Sequence, residues 1–332
     1  MTGRRGRHWL RSVVMVASLV FVAVVVWQAW DEVASAAAVL RTVAFGVMAL
    51  AMALQALAVL TLPFVYRAAV TAVGTPLGYR QSLQLSMGAF TLSRVLPGGG
   101  AAGAVWAARR LQRFGVPLTT AGTAVILEGV LAMATLGVIV TAGTVAALLR
   151  GHVSGTTVAA AMAVALAFLI SGWACVAVLQ SERARSSVFA LATRLVPAAT
   201  ERLQRWHDAL ADLRRDLPGV RQLLPVVGWS TVNWIAEIAA LWTVFAGLGI
   251  HMELGVLVVG YGVANLVTAL PHTPGGLGLV EAGMTGTYVA LGTETSVALA
   301  GVLAYRLIAF WLPVLFGVPQ YLRAPVTSRR AA

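Results

Sequence analysis

Apolar residues fill this chain in long runs, broken at intervals that match a helical membrane crossing. At about 1.5 Å per helical residue, a bilayer core of ~30 Å takes about 20 residues. Runs of that order are Val13–Trp30, Val43–Val65, Leu118–Leu149, Thr157–Leu179, Pro225–Gly247 and Ala298–Leu322. Two further apolar stretches are interrupted in the middle by a Pro-Gly cluster. One is 81–111, around Pro97, Gly98, Gly99 and Gly100. The other is 255–291, around Pro271, His272, Thr273, Pro274, Gly275 and Gly276. Each arm holds about 11 to 16 residues, ~16 to 24 Å as helix, which is short for a crossing. Broken backbone at membrane depth is stable only where it is buried in protein or lines a wet cavity. The pattern therefore predicts an all-α polytopic membrane protein: six full transmembrane helices plus two Gly-rich re-entrant helical hairpins, with eight short spans as the alternative.

The same pattern divides a single membrane domain, 1–332, into a first half at 13–149, a cytoplasmic amphipathic segment at 181–224 and a second half at 225–322. In the middle segment Leu203, Trp206, Leu210, Leu213 and Leu217 recur at helical spacing among Arg202, Arg205, Arg214 and Arg215. Such a helix either packs under the bundle or lies in the interface against anionic lipid.

Composition agrees. The chain is 59% hydrophobic and 11% charged, against roughly 25% charged in soluble domains, so a water-soluble globule is excluded. All 24 cationic residues are Arg, and the net charge is +12. The Arg sit between apolar segments, as headgroup anchors do, and no nucleic acid partner is expected. With the N-terminus inside, 20 of the 24 Arg fall on the cytoplasmic side. Arg41 and Arg150 lie outside, and Arg94 and Arg306 stay within the membrane. That bias predicts a multi-pass protein of the cytoplasmic (inner) membrane with both termini cytoplasmic. The first hairpin then enters from the cytoplasm and the second from outside. The start has the layout of a signal peptide, and Ala34-Ser35-Ala36 resembles a cleavage site; its apolar core is long enough to read as an uncleaved anchor. A single cysteine, Cys175, excludes an internal disulfide. Metal-ligand spacing, a Walker loop and a nucleophile elbow are absent from the sequence, so no cofactor, metal or soluble-enzyme chemistry is expected.

Shifting the chain by 177 residues brings the two hairpins into register. Pro97-Gly98-Gly99 falls on Pro274-Gly275-Gly276, Gly115 on Gly292, Ala121 on Ala298 and Glu128 on Tyr305. Given opposite entry sides, this is the inverted repeat of many transporters, whose broken helices meet near the midplane.

The stretch from Leu92 to Leu131, with Pro97-Gly98-Gly99-Gly100, and the later pieces Thr273-Pro274-Gly275-Gly276-Leu277-Gly278, Glu281 and Tyr305-Arg306-Leu307, resemble the lysylphosphatidylglycerol synthase transmembrane region. This is a flippase-like domain, and the resemblance covers nearly the whole chain. It implies movement of lipids, notably aminoacylated phospholipids, between leaflets. Two departures stand out. The acidic residue often found after the first turn is replaced by Ala102 and Gly103, and the Glu-Arg-Leu of the following helix reads Glu128-Gly129 here. No counterpart of the aminoacyl-transfer domain is expected, and neither is lipid aminoacylation.

Charges within hydrocarbon cost roughly 2.5 to 3.5 kcal/mol on insertion scales and need a partner or water. The candidates are Arg94, Glu128, Glu237, Glu281 and Arg306. Glu281 and Arg306 form a plausible pair, either locking the second hairpin to the next helix or holding a headgroup. Arg94, near the first tip, either binds phosphate or pairs with Glu128 or Glu237. Asn233 lies one turn before Glu237 on the same face. His272, in the second turn, titrates near neutrality if exposed. Gly98, Gly99, Gly100, Gly275, Gly276 and Gly278, with Pro97 and Pro274, shape the turns. The helix starting after each turn presents unpaired N–H groups, which favour an anion. The expected function is a lipid translocase for an anionic or amphiphilic headgroup, with membrane lipids as partners. Two alternatives stay open: a secondary transporter of a small solute, and a non-transporting accessory that docks an envelope-lipid enzyme.

Overall fold

The computed structural model describes residues 43–95, 99–149, 181–195, 218–269 and 278–311, with scattered positions between 155 and 170, residues 200 and 204, and Gly276. Among the described residues the chain is helical and has no strand. The helices are α1 (Phe45–Ala72), α2 (Tyr79–Val95), α3 (Gly99–Arg113), α4 (Leu118–Leu149), α5 (Glu182–Leu195), α6 (Val220–Gly247), α7 (Leu254–Ala269), α8 (Leu279–Ala290) and α9 (Thr295–Arg306). A π turn, Leu307–Trp311, continues α9.

Three of these, α1, α4 and α6, are long and apolar enough to cross a membrane. With 28, 32 and 28 residues they reach about 42 to 48 Å, more than the hydrocarbon thickness. Their outward faces expose Phe45, Leu57, Leu60, Val138, Val145, Ile235 and Trp242, a surface suited to lipid. The apolar runs at 43–65, 118–149 and 225–247 thus become crossings, with two shifted boundaries. Helix α1 continues to Ala72, and α6 begins at Val220, so 220–224 is continuous with a helix long enough to cross. A glutamine side chain explains that early start. Gln222 Oε1 accepts from the Gly219 backbone N–H at 2.8 Å, satisfying a donor that the helix start would otherwise leave open. The expected span Val13–Trp30, most of Thr157–Leu179, the end of Ala298–Leu322 and the apolar register of 202–217 lie outside the described residues.

The two Pro-Gly stretches each form a pair of short helices packed on one another, α2 on α3 and α7 on α8. Their lengths are 17, 15, 16 and 12 residues. Within the first pair, Gly103 packs against the backbone of α2. A Cβ there would sit 2.6 Å from the Ala89 carbonyl oxygen, which explains why no acidic side chain stands at that position.

The repeat is visible in the helix ends. Helices α1, α3, α6 and α8 all stop at a positive-φ glycine: Gly74, Gly115, Gly249 and Gly292. The following N–H reaches back five residues in each case, Thr75 to Val70, Val116 to Leu111, Ile250 to Phe245 and Thr293 to Tyr288. This is the Schellman closure that glycine makes possible. The second and fourth closures are 177 residues apart, as are the first turns of α4 and α9, where Ala121 bonds to Pro117 and Ala298 to Glu294. Two helix ends thus recur at the offset read from the sequence.

The buried apolar side chains form two main clusters. The larger joins the middle of α4 to α6, α7, α8 and α9, with Leu136, Leu241, Phe245, Leu257 and Tyr288 at its centre. The smaller belongs to the first hairpin, the end of α1 and the start of α4, around Val70, Leu85, Leu111 and Val125. Two side-chain bonds cross helices beside the space between them. Asn233 Nδ2 donates to the Ala58 carbonyl at 2.7 Å, and Trp234 Nε1 to the Ala132 carbonyl at 2.8 Å. Trp234→Phe keeps the ring and removes the second bond. It should cost about 1 kcal/mol, read as a lowered midpoint in thermal unfolding of detergent-purified protein.

Candidate functional site

Between the two clusters lies a cavity of about 360 Å³. Both hairpins reach it near their tips. Phe90, Ser93 and Arg94 come from α2, Gly100 and Gly103 from α3, and Asn265 and Thr268 from the end of α7. Gly276, at φ +70°, adds the second turn itself. The remaining walls are α1, α4, α6, α8 and α9.

The polar side chains are grouped, not scattered. On α6, Glu237 is buried and its Oε2 accepts from two tyrosine hydroxyls, Tyr261 at 2.6 Å and Tyr305 at 3.2 Å. One comes from each flanking helix, α7 and α9, so the carboxylate fastens both to α6. Two hydroxyl donors on one oxygen lower the cost of burying its charge. Arg94 approaches from the opposite hairpin. Its guanidinium interacts electrostatically with Glu237, Tyr261, Tyr305 and Arg306 and lies 4.8 Å from the Phe90 ring centroid. A cation from the first helix pair thus comes near a buried carboxylate held by two tyrosines of the second half.

Arg306 and Glu281 form the pair that their positions permitted. Arg306 Nε donates to Glu281 Oε1 at 2.5 Å, and both residues are buried. Glu281 stands behind the cavity wall, while Arg306 lines it. The carboxylate therefore holds the guanidinium in place and joins α8 to α9. Glu281 Oε2 is buried without a hydrogen-bond partner among the described residues.

Glu128 lines the cavity from α4, and its side chain faces the Tyr66 hydroxyl of α1. Asn233 also lines it, with its amide used to hold α6 on α1. Of the turn residues, Gly100 and Gly276 line the cavity, and Gly278, at φ +82°, caps α8. Pro97, Gly98, His272, Pro274 and Gly275 lie outside the described residues, as do the surroundings of Gly99. Sequence reasoning did not single out Tyr66, Tyr261 or Ser230, and took Tyr305 only as a motif position. Tyr66, Tyr261 and Tyr305 stand in otherwise apolar helices, and an isolated hydroxyl there signals a buried acceptor. Ser230, on a glycine- and tryptophan-bearing turn of α6, gives no such signal.

Comparison with known proteins fits this architecture. The model of the lysylphosphatidylglycerol synthase TM region family matches residues 14–317. The chain belongs to that family. Among its relatives is a UPF0104 membrane protein of Methanothermobacter thermautotrophicus, 28% identical over 166 residues, which are 48% of this chain and 49% of that protein. Another, from Pyrococcus horikoshii, is 32% identical over 99 residues, 29% of each chain. The inner membrane protein YbhN of Escherichia coli is 26% identical over 117 residues, 35% of this chain and 36% of YbhN. The match spans about half the length of the first of these relatives, or less. The chain is thus a membrane protein of this family, built from apolar helices.

Proposed function

We propose that the protein is a lipid translocase that carries an anionic or amphiphilic lipid headgroup through this cavity, between leaflets of the cytoplasmic membrane. The observation that carries the reading is the convergence of both hairpin ends, with Arg94 and Arg306, on one cavity inside an otherwise apolar bundle. Polar groups in hydrocarbon are tolerated when they face such a space. An arginine there offers a phosphate a bidentate contact. Lipid tails need no equivalent site, because the exposed apolar faces of α1, α4 and α6 already meet the bilayer.

In this reading the paired short helices are re-entrant hairpins, entering from opposite faces as parts of an inverted repeat, with both termini cytoplasmic. The 177-residue agreement of helix ends supports a repeat, and the Arg distribution supports the orientation. Family membership supports a lipid as cargo.

Arg94→Ala tests the reading. Arg94 is half-buried, and thermal unfolding of Arg94→Ala shows first that the variant is folded. Protein reconstituted in vesicles with a tail-labelled anionic phospholipid should then move lipid between leaflets at least about tenfold more slowly. A parental rate in a normally folded Arg94→Ala protein removes the basis for the proposal.

A further inference from the structure

The repeat contains an asymmetry at the cavity. At the 177-residue offset, Glu281 and Arg306 fall on Ala104 and Gly129. In the second unit that pair joins α8 to α9. In the first unit the same positions, on α3 and α4, carry a methyl group and a hydrogen, and both line the cavity. The helices have not closed over the loss. A Cβ built on Gly129 meets no atom within 4 Å.

A buried polar group also faces this cavity. Ser230 is 1% exposed, lines it, and its hydroxyl has no hydrogen-bond partner among the described residues. In the proposed topology α4 and α6 run in the same direction, and Trp234 is bonded to Ala132. Ser230, one turn before Trp234, therefore stands level with Glu128 and Gly129, about one turn before Ala132. An unmade bond at a buried hydroxyl is unfavourable, and a ligand oxygen would satisfy it.

We propose that the headgroup binds here, between α3 and α4, in the space where the first unit lacks the ion pair of the second. The inference rests on the translocase reading and gives it a location and a substrate class. Arg94 contacts the phosphodiester, and the Ser230 hydroxyl donates to one of its oxygens. Glu128, facing Tyr66, accepts from hydrogen-bond donors at the far end of the headgroup. The substrate is therefore a phospholipid whose headgroup ends in O–H or N–H groups, in preference to one ending in a trimethylammonium, which has none.

Gly129→Leu is the decisive variant. Leucine enters open space and favours the helix more than glycine does, so the protein should fold and melt at or above the parental temperature. Full-length parent and variant are reconstituted in vesicles with tail-labelled phosphatidylglycerol, phosphatidylethanolamine or phosphatidylcholine, and transfer between leaflets is followed. The parent should move the first two at least about tenfold faster than the third, and Gly129→Leu should lose about tenfold of that rate. Ser230→Ala removes one oxygen and should slow transfer several-fold, so it decides the matter if Gly129→Leu fails to fold. A well-folded Gly129→Leu protein with the parental rate overturns this location. If Arg94→Ala is still slow in that experiment, the translocase reading survives the loss; if it also runs at the parental rate, both fail. Equal transfer of phosphatidylcholine overturns the donor-based selectivity.

Discussion

Glu281→Leu should unfold the second half of the protein at markedly lower temperature, and adding Arg306→Met should restore most of the loss. Removing the carboxylate leaves a guanidinium buried at about the 6% exposure of Arg306 without its carboxylate. Breaking a buried pair in this way costs about 3–5 kcal/mol, whereas replacing both partners by apolar side chains is often neutral or stabilising. The geometry sharpens the expectation. The 2.5 Å contact joins α8 to α9, and the remaining carboxylate oxygen has no hydrogen-bond partner among the described residues, so Arg306 is the partner that matters to Glu281. Thermal unfolding of the two variants in the same detergent measures the difference. Equal destabilisation of the single and double variants would show that the pair is not what holds these helices.

The second large effect belongs to Gly260. A methyl group there would lie inside the van der Waals surface of the Tyr288 ring. That ring cannot retreat. It is fully buried, its hydroxyl donates to the Leu257 carbonyl at 3.1 Å, and its edge meets Phe245 at a centroid distance of 5.5 Å. Phe245 in turn fills the place a side chain at Gly301 would need. Gly260→Ala should therefore cost about 1–3 kcal/mol through overpacking, even though alanine is the better helix former. Tyr288→Leu in the same chain should recover part of that cost, although it loses ring burial of its own. A double-mutant cycle on unfolding midpoints separates the two terms. If Gly260→Ala melts like the parent, α7 and α8 are not in contact at this point.

These two effects differ in how visible they are from the chain alone. The Glu281–Arg306 pair was legible because both charges stand in apolar runs, where each needs a partner. The contact between Gly260 and Tyr288 was not, since one glycine among 33 carries no label saying which ring lies over it. Likewise the three long helices announced themselves by length and hydrophobicity, and α4 begins and ends where its apolar run does. Their neighbours' limits did not, because α1 and α6 extend through polar residues such as Arg67 and Arg221, which a helix end can carry into the headgroup region.

What the sequence determined by itself was the membrane class and which charges stand inside apolar runs, for one physical reason. Hydrocarbon penalises polar groups so heavily that each exception stands out along a single chain. What only the tertiary structure decided was which of those exceptions share a space. Arg94 comes within electrostatic reach of Glu237, on a helix more than a hundred residues away in sequence. The tyrosines of α7 and α9 meet on one carboxylate oxygen. Ala104 and Gly129 leave room where their counterparts are filled. Such groupings depend on how helices far apart in sequence are packed, and hydropathy along one helix carries no information about the neighbour it will meet.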